Sequence, residues 1–156
     1  MAALGLPGCG STSNQTDAAA FIGEHAAAVD RAAAATKVVE GEVSRLSGSP
    51  TRAQLEELAG ATGRARRDVV QIGEWDVGSA GQAGAEEEDL PRAETQVTEA
   101  ANELAGAMSA LHAYARAPSA ATLARYQSEL ARGREQWDEA ISQIWYLAHE
   151  SHPATV

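Results

Sequence analysis

Along most of this chain, apolar residues recur alternately three and four positions apart, the spacing of a helix that buries one stripe of its surface. The first series runs Ile22, His25, Val29, Ala32, Thr36, Val39, Val43 and Leu46 and predicts a helix over residues 17–46. Ser47, Gly48, Ser49 and Pro50 interrupt it, since proline lacks an amide donor and disfavours helical backbone in the residue before it. Thr51 with Gln54 three residues later is a capping box. The second stripe, Leu55, Leu58, Thr62, Ala65, Val69 and Ile72, then predicts a helix over residues 51–76.

Residues 77–85 hold three glycines and are expected to be a linker. Pro91 suits the first turn of a third helix, where amides have no intrahelical partner, and the acidic run 86–89 complements the positive end of its dipole. Val97, Ala101, Leu104, Met108 and Leu111 form the stripe of that helix over residues 90–117, which Pro118 ends. Ser119 caps a fourth, over residues 119–149, with Leu123, Tyr126, Leu130, Gly133, Trp137, Ile141, Ile144 and Ala148 on one face. Four helices, each roughly 40 Å long at 1.5 Å per residue, joined by a short, a long and a short connection, predict an all-α, up-down-up-down antiparallel four-helix bundle. Residues 17–150 would form the bundle and residues 151–156 a C-terminal tail.

Composition narrows the function classes. A chain of 156 residues fits one core, and its alanine-rich stripes suit helices that approach closely. The formal net charge of -10 repels phosphate backbones, and no basic stripe interleaved with aromatics offsets it, so no nucleic-acid partner is expected. There is no Gly-x-Ser-x-Gly elbow, His-Glu-x-x-His, phosphate-cradling glycine loop or Cys-x-x-Cys-His. A di-iron bundle would need Glu-x-x-His on two helices, and the chain has none. No enzymatic activity, bound metal or cofactor is therefore expected. Arg64, Arg66 and Arg67 read as a solvated face, with Arg64 and Asp68 spaced for an i,i+4 pair.

The single cysteine, Cys9, follows Leu6-Pro7-Gly8 and precedes the small polar residues 10–16. This stretch resembles the lipobox of a bacterial lipoprotein. The resemblance implies a diacylglycerol on Cys9, cleavage just before it, a flexible tether over residues 10–16 and an extracytoplasmic, membrane-anchored location. The apolar run ahead of Cys9 is shorter than a signal core and has no basic residue before it, so the start is expected to be truncated. The stretch from Trp137 to His149 is similar to the endings of uncharacterised helical lipoproteins of actinobacterial type, which implies no activity.

In such a bundle the start of the first helix, the end of the second, the start of the third and the C-terminus share the Cys9 end. His25, Trp75, Trp145 and His149 are the candidate ligand-binding residues there, with Glu94 and Asp76 as the remaining metal donors within reach. His112 belongs near the opposite end. Two readings follow: a non-enzymatic interaction module with an unidentified protein partner, or a sensor of a small ligand or metal. An open pocket at the Cys9 end favours the sensor, and a dry, filled layer favours the interaction module.

Overall fold

The computed structural model describes residues 10–46, 48–76 and 89–148. Among the described residues there are four helices and no strand: α1 (Gly10–Ser44), α2 (Arg52–Gly73), α3 (Asp89–Arg116) and α4 (Ala120–Leu147). Seven of the eight helix ends lie within three residues of their predicted positions. The exception is the start of α1, which begins at Gly10 rather than at residue 17. The expected tether over residues 10–16 is thus helical. Neither glycine nor proline occurs between Ser11 and Phe21, so nothing stops an established helix from adding one hydrogen bond per residue toward its N-terminus. The expected linker over 77–85, the C-terminal tail, Cys9 and His149 lie outside the described residues.

Capping sets the short turns. Thr51 Oγ1 accepts the Gln54 amide at 3.3 Å, and Gln54 Oε1 accepts the Thr51 amide at 2.9 Å. Gln54 Nε2 also donates to the Arg45 carbonyl at 3.2 Å, so one side chain starts α2 and ties it to the end of α1. Ser119 Oγ accepts the Thr122 amide at 3.2 Å and starts α4.

The predicted stripes of α2, α3 and α4 are buried in the structure except for Leu55 and Leu123 at the turn ends, which are half-buried. Helices adjacent in sequence pack together, and α1 also meets α4, so the packing is that of a bundle. Contact is most extensive between α3 and α4. Gly133 allows it: a Cβ there would sit 2.9 Å from Leu104 Cγ and 3.1 Å from the Leu104 backbone nitrogen. Thr36 and Thr62 enter the core because each hydroxyl donates to a carbonyl four residues back, Ala32 and Leu58, both at 2.9 Å.

In α1 the buried series is Ala18, Phe21, Val29, Ala32, Ala33, Thr36 and Val39. Phe21 is buried, and Ile22 beside it is half-buried and packs against the core. Arg134 on α4 holds Glu40 on α1 through two contacts, Nη1 to Oε1 at 2.6 Å and Nη2 to Oε2 at 3.0 Å. Arg64 does not pair with Asp68. Its guanidinium lies back over Gly60, 3.6 Å from where a Cβ on that residue would be, and the absence of a side chain there leaves it that room.

Candidate functional site

The site begins where α2 ends. The Glu74 amide still donates to the Val70 carbonyl at 3.1 Å and the Trp75 amide to that of Ile72 at 3.2 Å, so the indole leaves the helix end in a fixed direction, toward α1. Phe21 and His25 stand four residues apart on α1 and therefore on one face. The His25 ring stacks on Trp75 with centroids 4.0 Å apart and planes inclined by 29°. Phe21 meets Trp75 edge-on at 5.7 Å and 80°, and tilts against His25 at 4.5 Å. Phe21 is buried, whereas His25 and Trp75 are half-buried. The three rings form a wall that solvent reaches.

That wall faces an open groove of about 560 Å³. Asp17 and Glu24 of α1, Glu74 and Asp76 after α2, and Glu94 of α3 complete its lining, and neither lysine nor arginine does. Burial pushes the Glu94 carboxyl above the usual carboxylate range, and the negative charge of Asp17 adds to the shift. Carboxylates gathered beside aromatic faces favour a positive group, since both the charges and the ring quadrupoles attract it. A metal is a poorer fit. Among the described residues no three His, Cys, Asp or Glu side chains are placed to hold one; the carboxylates are spread around the groove rather than converging on one point.

Of the candidate residues, the structure brings His25 and Trp75 together. Trp145 is buried in α4, 6% exposed, and neither lines the groove nor makes a ring contact with them. His149 and Cys9 are outside the described residues. Phe21 escaped the sequence reading although it is the only phenylalanine in the chain and stands one turn from His25; both were usable signals.

Further recesses between helices include three. One, between α1 and α2, is lined by Val38, Glu42, Glu56, Glu57 and Arg64. A second, between α3 and α4, is lined by Glu99, Asn102, Glu103 and Glu129. The third, between α2 and α3, is lined by Thr62, Gly63, Arg66, Arg67, Ser109 and His112.

No family model, curated protein or solved structure matches this chain. No described helix is long and apolar enough to cross a membrane.

Proposed function

We propose that this chain is a non-enzymatic, lipid-anchored binding module of the extracytoplasmic cell envelope, and that the groove of Phe21, His25 and Trp75 takes an organic cation. One observation carries the reading: a stacked aromatic wall opens onto five carboxylates, with neither lysine nor arginine in the lining. The openness of the groove favours a small ligand over a dry protein contact. A protein partner would meet the same chemistry by inserting a lysine or arginine side chain. Anchoring rests on the Leu6-Pro7-Gly8-Cys9 motif and puts the groove near the membrane if the helices run up-down-up-down. Antiparallel pairing is supported by His25 beside Trp75, Arg45 beside Gln54 and Leu104 beside Gly133.

The test is a titration of the full chain with choline at constant ionic strength, followed by tryptophan emission. Trp137 and Trp145 are buried, so Trp75 supplies the responsive signal. Saturable change is expected, with Glu94→Gln weakening it about two- to five-fold, as for one partly exposed charge contact. A flat response to choline, or saturation by zinc that His25→Ala abolishes, refutes the cation reading. Anchoring is read separately: expressed from its upstream reading frame, the protein is expected to partition with membranes, and Cys9→Ser to release it.

A further inference from the structure

We propose a second site, independent of the first, in which the recess between α2 and α3 binds a phosphate-type oxyanion. The other three grooves described above are each lined by three or more carboxylates. This recess, about 420 Å³, is lined by Arg66, Arg67 and His112 and by no acidic residue. Arg45, Arg52, Arg125 and Arg134 each pair with a carboxylate in this chain of formal net charge -10. Among the described residues Arg66 and Arg67 form neither ion pairs nor hydrogen bonds through their side chains. Their donors are uncommitted.

His112 adds the third donor from across the recess. Its Nδ1 is enclosed and has no hydrogen-bond partner. With Nδ1 enclosed, Nε2 is the nitrogen left to meet an occupant of the recess, and with a proton on it the ring donates there. Thr62 and Ser109 give their hydroxyl protons to the Leu58 and Ala105 carbonyls, which leaves the guanidinium groups and the imidazole as the donors. Gly63 keeps the floor open, since a Cβ on it would meet nothing within 4 Å.

The donor geometry selects among anions. Arg66 and Arg67 are successive helix residues, so their side chains diverge by about 100° around α2, and His112 approaches from α3. Donors from three directions suit the oxygens of a tetrahedral phosphate better than a planar carboxylate, which a single guanidinium fork already satisfies. Two guanidinium groups also match the charge of a phosphate monoester. A soluble phosphate ester and a phospholipid headgroup share the tetrahedral oxyanion, the diester headgroup with a single negative charge.

The experiment follows the His112 imidazole resonances of the isotope-labelled full chain in two arms at matched ionic strength. In one the probe is inorganic phosphate, with chloride as control; in the other it is phosphatidylglycerol vesicles, with phosphatidylcholine vesicles as control. Saturable shifts with phosphate assign a soluble ester, and shifts with phosphatidylglycerol vesicles alone assign a lipid headgroup. Replacing both arginines, Arg66→Gln with Arg67→Gln, is expected to weaken binding at least ten-fold, as for the loss of charge-assisted hydrogen bonds. Gly63→Leu fills the recess from an open position and is expected to abolish binding while the protein still melts cooperatively. Shifts that chloride reproduces, no response in either arm, or a folded Gly63→Leu that binds like the parent would each overturn the site.

Discussion

Adding one methyl group at Gly133 tests the close approach of α3 and α4. In an open helix position, Gly→Ala gains about 1 kcal/mol because alanine loses less backbone freedom on folding. At Gly133 the new carbon would stand 2.9 Å from Leu104 Cγ and Cδ2 and 3.1 Å from the Leu104 backbone nitrogen. A leucine tip can rotate aside, but its Cγ and the backbone cannot, so α3 and α4 must separate by a few tenths of an ångström. Overpacking of this kind costs about 1–3 kcal/mol, which leaves a net loss of about 1 kcal/mol. Gly63→Ala is the control, because its Cβ meets open space and the full gain should appear. The two variants should differ by about 2 kcal/mol, or roughly 4–8 °C in melting temperature for a chain of this size. Urea melts of equal slope give the comparison directly. Leu104→Ala alone is expected to lose about 2–5 kcal/mol, and combining it with Gly133→Ala should cost less than the sum, since the cavity receives the methyl. A Gly133→Ala protein as stable as Gly63→Ala would refute the approach of α3 to α4.

Two further outcomes can be stated. Thr51→Ala removes the acceptor for the Gln54 amide and should cost about 1 kcal/mol in the same melts, with α2 shorter by circular dichroism. Glu94 holds its proton above the usual carboxylate range, so between its ordinary and its raised value the folded chain binds more protons than the unfolded one, and its contribution to stability falls as pH rises. Thermal melts from about pH 4 to about pH 7 should therefore show Glu94→Gln gaining on the parent as pH increases; a gain on acidification instead would reverse the assignment.

Helix positions were legible because the three-four spacing, the Thr51–Gln54 pair and Ser119 are local signals, and local signals suffice to start and orient a helix. The N-terminal extension of α1 was not, since serine, threonine and asparagine are read as turn formers even where no breaker enforces a turn. Of the site, His25 and Trp75 could be placed in one layer by counting residues from the helix ends. Which ring faces which cannot be counted. Phe21 and Ile22 differ by one position, about 100° around α1, and either continues the apolar spacing; the Trp75 ring just after α2 distinguishes them, and that is a tertiary fact. His112 was legible only as distant from the other histidines, because its enclosed Nδ1 and its neighbours Arg66 and Arg67 depend on how α2 meets α3.

The extensive contact between α3 and α4, set against the sparser contacts of α1, divides the molecule kinetically. A hairpin of neighbouring helices closes a short loop and forms early, whereas α1 has less surface to hold it and is the element whose amides should exchange first by local opening. Phe21 and His25 belong to that helix. Each excursion of α1 would thus dismantle the aromatic wall, and a ligand that needs the wall intact binds only the docked state. Occupancy then acts as a latch: bound cation should slow hydrogen exchange along α1, because every opening that frees α1 must first release the ligand.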